Sequence, residues 1–282
     1  KYLGKGSESM ATMPKRVAVV TGGNKGIGYE IVKGLAKEKN VEVVFTARNE
    51  KRGAAACESL KKEGLEVKFH LMDLGDKKSI SAFAEWIKKS YGGFDILCNN
   101  AAMAFKGSDP TPFAQQAEPT MKINFYGTLE VCDQLVPLLK KGGTVVNLAS
   151  QAGSGAYSRM SKELQAKFSD PALERSKLCG LVDKFCADVK SGKHQEAGWP
   201  NTCYGTSKTA VIFLSKLLAN SLQKDGITCN SMCPGYCRTD MSSNNGNRSA
   251  AEGADTAIWL CLQTDDKRPN GGFFFDRKII KI

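Results

Sequence analysis

Residues 16–28 read Arg16-Val17-Ala18-Val19-Val20-Thr21-Gly22-Gly23-Asn24-Lys25-Gly26-Ile27-Gly28. A short apolar, β-branched run stops at a pair of glycines, and helical spacing then runs from Ile27 to Lys39 through Ile31, Leu35 and Ala36. The pattern predicts a strand, a turn and a helix in immediate succession. Within the turn, Gly22, Gly26 and Gly28 stand at G-x-x-x-G-x-G, a relative of the G-x-G-x-x-G fingerprint. Glycine permits a tight turn and a close backbone approach to a pyrophosphate, which then rests on the positive end of the following helix. A glycine cluster alone is a weak signal, but this one follows a strand and opens a helix, the context that makes it specific. Asn24, Lys25 and Ile27 complete the loop.

Outward from this unit, strand signatures recur at 41–46, 66–71, 94–99, 144–149 and 227–233, and helical ones at 51–62, 79–91, 118–139 and 204–223. Alternation of this kind predicts an α/β fold, a single-domain doubly wound parallel sheet of Rossmann type over 15–282. Residues 1–14 carry neither helical periodicity nor the apolar block of a secretory signal, and read as a disordered lead-in or a cloning remnant, with Met10 or Met13 a native start. Residues 151–203 break the rhythm. So long a connection is seldom structureless, and helix formers at 162–167 and 173–188 predict a helical insertion before the Tyr204 helix, packed near the site.

Composition narrows the function. Of 282 residues, 41% are hydrophobic and 24% charged, and no apolar run approaches the ~18 residues of a membrane span. A cytoplasmic, membrane-free protein is expected. Forty bases against 29 acids give +11, but the bases come as scattered pairs (Lys61-Lys62, Lys88-Lys89) without interleaved aromatics, which argues against nucleic acid. Some of the excess can steer a polyanionic cofactor. The ten cysteines are scattered through strand and helix patterns as small buried thiols would be. Cys229, Cys233 and Cys237 run from a predicted strand into a loop and not along a zinc knuckle, so no metal is expected.

The end of the second strand, where an acid would hold the ribose of NAD, reads Thr46-Ala47-Arg48-Asn49. Arg48 can stack on adenine and pair with a 2′-phosphate, with Lys25 and Arg52 adding charge, so NADPH/NADP+ is the expected cofactor; Glu50 is the residue that argues otherwise. Asp73, beside Leu74, can accept from the adenine amino group or cap the helix that follows. Tyr204 and Lys208, four residues apart, share a helix face. A cation within ~4–6 Å favours the phenolate and should lower the phenol from its usual value of about 10. Ser150 closes the fifth strand, where doubly wound folds place reactive groups.

The glycine loop, Asn99-Asn100-Ala101-Ala102, Asn124, Ser150, Tyr204-x-x-x-Lys208 and Pro234-Gly235 together resemble the short-chain dehydrogenase/reductase family over nearly the whole chain. The wide gap between Ser150 and Tyr204, the run 194–200 and the run 233–241 look like the carbonyl reductases of animals, NADPH-dependent enzymes acting on quinones, aromatic ketones and aldehydes. The resemblance implies that Tyr204 is the general acid, that Ser150 holds the substrate oxygen, that Lys208 tunes the tyrosine and binds the nicotinamide ribose, and that Asn124 holds a water refilling the proton. It implies that Asn99 and Ala101 run along the ribose, that Pro234 and Gly235 line the cofactor, and that Thr239 meets the nicotinamide amide. Met103, Trp199, Tyr236 and Met241 are the implied substrate lining, and Cys233 matches a cysteine near the substrate entrance with affinity for glutathione conjugates. In that group the insertion covers the tetramer-forming helices, which implies a monomer. Gln151-Ala152 and Ala102 depart from the pattern and leave the substrate open. A dehydrogenase for one steroid or terpenoid alcohol, or a non-catalytic NADP(H)-binding regulator, are the other readings.

Overall fold

The structure is a computed structural model that describes residues 15–264 and 268–282; the lead-in 1–14 lies outside the described residues. Its strands are β1 (Arg16–Val20), β2 (Val41–Ala47), β3 (Val67–Leu71), β4 (Phe94–Asn99), β5 (Leu139–Leu148), β6 (Thr228–Met232), β7 (Phe273–Phe275) and β8 (Lys278–Ile279). They form one sheet in the order β3-β2-β1-β4-β5-β6-β7-β8, and every pairing is parallel except β7 with β8. The central strands read as near-continuous apolar runs because helices cover both faces, leaving Val17, Ala18, Val19 and Val20 of β1 all buried. The order reverses between β1 and β4, so the crevice lies beyond the carboxyl ends of these two strands, at Thr21 and Asn100.

The helices are α1 (Gly26–Ala36), α2 (Glu50–Lys62), α3 (Lys77–Tyr91), α4 (Phe113–Met121), α5 (Thr128–Leu135), α6 (Gln151–Ser158), α7 (Lys162–Ser169), α8 (Arg175–Lys190), α9 (Cys203–Leu222) and α10 (Ala250–Leu262). Ile31, Val32 and Leu35 of α1 pack with Ala254, Ala257 and Leu260 of α10 in the core that includes Val20 and Phe45. Ile80, Phe83 and Ile87 of α3 join Val131 and Leu135 of α5 in the core that includes Val19 and Leu97. The insertion is helical as expected: Leu164 and Phe168 of α7 and Leu178 and Phe185 of α8 build a third core on Phe213 and Leu214 of α9.

Three elements differ from the sequence reading. The helix expected over 118–139 starts at Phe113, holds Pro119, widens into a π-helical turn over Lys122–Gly127 and gives way to β5 at Leu139. Periodicity read over the whole window could not resolve that change of pitch. The helix α10 was unpredicted, although Ser249 and Glu252 close a capping box at its start, a signal present in the sequence. The short strands β7 and β8 lack the length that makes a strand legible, and β8 makes the sheet mostly and not wholly parallel.

The contact that positions Ser150, Tyr204 and Lys208 relative to one another is between α6 and α9. A Cβ on Gly153 would lie 2.7 Å from the carbonyl carbon of Lys208, and one on Gly205 would lie 2.9 Å from the Ala152 oxygen. Two missing side chains let the helix carrying Tyr204 touch the one that Ser150 caps, and the Thr209 hydroxyl donates to the Gly153 carbonyl at 2.7 Å. Gly153→Ala should therefore cost about 1–3 kcal/mol by overpacking, whereas Gly180→Ala, exposed on α8 with open space at its Cβ, should stabilise by about 0.5–1 kcal/mol. Urea unfolding of the two variants checks the pair; equal effects would show that the close approach is not needed.

Candidate active site

The glycine loop is held by packing as much as by turn geometry. Gly22 and Gly26 have φ of +66° and +55°, which side chains resist, and in front of Gly26 only Thr239 comes near, with Cγ2 3.3 Å from where a Cβ would be. A Cβ on Gly23 would meet Phe45 at 2.6 Å, and one on Gly28 would meet the Asn100 amide and the Gly22 oxygen at 2.3 Å. The loop is therefore a bare backbone concavity at the start of α1, a shape that suits a pyrophosphate and so fits a dinucleotide. Asn100, which the sequence reading passed over in favour of its neighbours, pins the loop: its amide nitrogen donates to Thr21 O at 2.9 Å and Gly22 O at 3.1 Å. Thr21 Oγ1 in turn accepts from the Asn100 and Ala101 backbone at 3.0 Å each.

Strand alternation sends Asn99 the other way. Its side chain is buried and donates to Asn147 Oδ1 at 2.8 Å, and Asn147 donates to Ser215 Oγ at 2.8 Å, a polar ladder under α9, which leaves only the Asn99 backbone for the ribose contact that the resemblance implied. Ala101 is half-buried against Gly22. Asp73 turns its carboxylate onto the Gly75 N–H at 2.8 Å, and α3 is capped by Asp76 instead. Leu74 is buried in the core with Ile80 and Phe83. Arg48 and Arg52 are exposed at the end of β2 and the start of α2, and among the described residues neither pairs with a carboxylate.

Ser150 follows β5 by two residues and caps α6, its Oγ accepting from Ala152 N at 3.1 Å, and its hydroxyl hydrogen-bonds toward the Tyr204 phenol. Thr202 caps α9 by accepting from Gly205 N at 3.0 Å, so Tyr204 sits in the first turn, half-buried. One turn on, Lys208 is 4% exposed; its Nζ donates to the Leu148 carbonyl at 2.7 Å and stands 5.6 Å from the centre of the Tyr204 ring. Asn124 lies in the π-helical turn, a frequent mark of functional sites. Its side chain is fully engaged: Oδ1 accepts from Met103 N at 2.8 Å, and Nδ2 donates to Met103 O at 2.9 Å and to Ser207 Oγ at 3.0 Å. Its backbone carbonyl accepts the Thr128 hydroxyl at 2.9 Å. Ser207, for which the sequence offered no signal, ties this turn to α9 by accepting the Nδ2 bond from Asn124, and within α9 its hydroxyl donates to the Tyr204 carbonyl at 2.7 Å.

The electrostatics correct one expectation. Burial pushes the Tyr204 phenol up to about 12, Cys233 adds in the same direction, and only the Ser150 hydroxyl pulls it down. Burial likewise drives the Lys208 ammonium down from 10.5 to about 8. With the Lys208 ammonium buried and bonded to Leu148 and the Tyr204 ring partly covered, desolvation outweighs the attraction expected to acidify the tyrosine. The phenol therefore keeps its proton throughout the neutral range, the state a proton donor needs.

The implied substrate residues divide. Tyr236 and Met241 are 57% and 40% exposed after β6, and Met103 is half-buried on the Asn124 clamp. Trp199, by contrast, is 2% exposed: it packs edge-on against Phe168 and Phe185, and its Nε1 donates to Asp188 at 2.8 Å. It anchors the insertion. Cys233 is also buried, its thiol taking the Gly235 N–H at 3.3 Å and facing Gln151 Oε1 at 3.8 Å. Pro234 and Gly235, the latter at φ +80°, carry the chain from β6 to Thr239, the cap of a single 3-10 turn. All ten cysteines are free thiols. Among the described residues, no helix is long and apolar enough to cross a membrane.

Residues 16–168 and 188–250 match the profile described as short chain dehydrogenase. The chain belongs to that family. Among its relatives, carbonyl reductase (NADPH) 1 of Homo sapiens is 45% identical over 268 residues, covering 93% of this chain and 97% of that protein. The Bos taurus protein of the same name is 44% identical over 270 residues, covering 94% and 98%. Of solved structures, salutaridine reductase from Papaver somniferum superposes with a TM-score of 0.85 at 32% identity, covering 93% of this chain and all of that one. Menthone neomenthol reductase from Mentha piperita superposes with a TM-score of 0.78 at 29% identity, covering 93% and 98%.

In this short chain dehydrogenase the Lys208 titration has a measurable consequence. Between pH 8 and 10.5 the unfolded chain binds a proton at Lys208 that the folded chain has lost, so this residue makes stability rise with pH across that window. Relative to Lys208→Met, the wild type should gain up to about 3 kcal/mol between pH 7.5 and pH 10. Urea unfolding at both pH values checks this; a constant difference would mean that Lys208 titrates normally.

Proposed function

We propose that this chain is an NADPH-dependent carbonyl reductase that converts quinones, aromatic ketones and aldehydes to alcohols. The observation that carries this reading is the set of two hydroxyls, Ser150 and Tyr204, on helices held together by Gly153 and Gly205, with the Lys208 ammonium buried beside them. When bound, the cofactor supplies a hydride to the carbonyl carbon. Negative charge then builds on the substrate oxygen, where Ser150 donates its hydroxyl hydrogen and Tyr204 transfers its proton. The elevated Tyr204 pKa keeps that proton in place at neutral pH and favours the reducing direction. Lys208, charged below about 8, offsets the phenolate left behind and holds the cofactor ribose.

Selection of NADPH is assigned to Arg48 and Arg52, whose guanidiniums are exposed and pair with no carboxylate among the described residues, together with Lys25. Asn24, Ile27 and the glycines present backbone to the pyrophosphate; Pro234, Gly235 and Thr239 flank the nicotinamide. Tyr236, Met241, Met103 and Gln151 are assigned to the substrate side. A monomer is supported by the insertion, which lays α8 across α4 and α9. Affinity for glutathione conjugates would have to come from these exposed residues, since the Cys233 thiol is covered. The superposition on salutaridine reductase at a TM-score of 0.85 favours one second reading, an enzyme of the same family devoted to a single substrate, such as one steroid or terpenoid alcohol. Comparable rates across a panel of small quinones and aryl ketones would exclude it.

The test follows NADPH oxidation by absorbance with a small quinone and an aryl ketone. Tyr204→Phe should lower kcat by about 100-fold or more while leaving NADPH affinity within about twofold. Arg48→Asp should weaken NADPH by about tenfold or more with little change for NADH. Unaltered turnover in the first variant would remove Tyr204 from the chemistry.

A further inference from the structure

Lys25 is not free. Its ammonium is 2.7 Å from a carboxylate oxygen of Asp240, across the mouth of the crevice from the glycine loop to the turn after β6. Among the described residues this is the only ion pair made by the three cations assigned to the 2′-phosphate, since Arg48 and Arg52 have none. Asp240 also feels the positive charges of Arg52 and Lys106, so one carboxylate stands among three cations. That is an anion-binding cluster occupied by the protein's own anion.

The two partners differ in freedom. Asp240 sits on a braced turn: Thr239 N donates to Ser242 Oγ at 3.1 Å, Ser242 Oγ donates to Cys237 O at 2.6 Å, and Asn244 N donates to Thr239 O at 2.9 Å. The turn lies against the glycine loop through the Thr239 methyl. Lys25 is a long side chain from the residue before α1 and makes no cap there, so it is the arm that can move. With side-chain exposures of 54% and 67%, the pair is solvated, and breaking it costs little. A phosphate dianion is the stronger claimant.

We propose that Asp240 is an internal stand-in for the cofactor's 2′-phosphate: it holds Lys25 in the free enzyme, yields it when NADPH binds and reclaims it as NADP+ leaves. Asp240 thereby moderates NADPH affinity and speeds release of the oxidised cofactor, a step that often limits turnover in enzymes with bound cofactors. It is a specificity-determining residue acting through Lys25. The inference rests on the assignment of Lys25, Arg48 and Arg52 to the 2′-phosphate.

A double-mutant cycle tests it, with Kd for NADPH and NADH measured by ligand fluorescence and NADP+ release by stopped flow. Asp240→Asn should tighten NADPH by about two- to fivefold, the worth of an exposed ion pair, slow NADP+ release by the same factor and change NADH less. In a Lys25→Met background the same substitution should have no further effect. A gain that persists undiminished in that background would mean that Asp240 merely repels phosphate, and would overturn the stand-in; so would an Asp240→Asn variant that binds NADPH no tighter. If Arg48→Asp and Lys25→Met both leave the NADPH:NADH ratio unchanged, the phosphate assignment fails and the stand-in fails with it. If Arg48→Asp lowers the ratio and Asp240→Asn does nothing, the stand-in alone is wrong.

Discussion

A single buried charge organises this molecule. Lys208 carries an ammonium into a space where it is 4% exposed and has one described hydrogen-bond acceptor, the carbonyl of Leu148 at the end of β5. Water would hold that charge better, and burial lowers the ammonium from 10.5 to about 8 in consequence. The surroundings keep it there because everything else about α9 is fixed: Thr202 caps it, Gly153 and Gly205 seat it on α6, and Phe213 and Leu214 bury its far side in the insertion core. The result is an ammonium held 5.6 Å from the centre of the Tyr204 ring, the placement that the proposed chemistry uses.

The same economy explains the polar interior. Asn99, Asn147 and Ser215 form one buried ladder, and Asn124 with Ser207 forms a second, tying the π-helical turn to the first turn of α9. Buried polar groups stabilise only when satisfied, and these nearly all are. The exception is Asn99 Oδ1, buried without a partner. Their effect is to fix Tyr204 and the Met103 backbone relative to the sheet, so that the hydroxyls proposed to act on substrate stand on rigid elements.

Much of this was legible beforehand. The glycine loop, the alternation of strands and helices, and the Tyr204–Lys208 pair carry their meaning in spacing, and spacing survives in a one-dimensional string. What was hidden depends on which way a side chain turns. Asn99 and Asn100 are adjacent and alike, yet alternation sends one into the sheet and the other onto the glycine loop. Trp199 looks like a pocket residue until Phe168, Phe185 and Asp188 close around it. The Lys25–Asp240 pair spans most of the chain length, and no local pattern links the two. Pitch changes within a helix, as at Lys122–Gly127, leave no mark on hydrophobic period.

The depressed pKa of Lys208 is the claim on which the rest hangs, because it is the signature of a charge held where solvation alone would not put it. Nitrogen-15 NMR of the lysine side-chain amines, with Lys208→Met used to assign the resonance, measures it directly. The account predicts that the Lys208 amine titrates near pH 8. A Lys208 resonance titrating at 10.5 or above would contradict it.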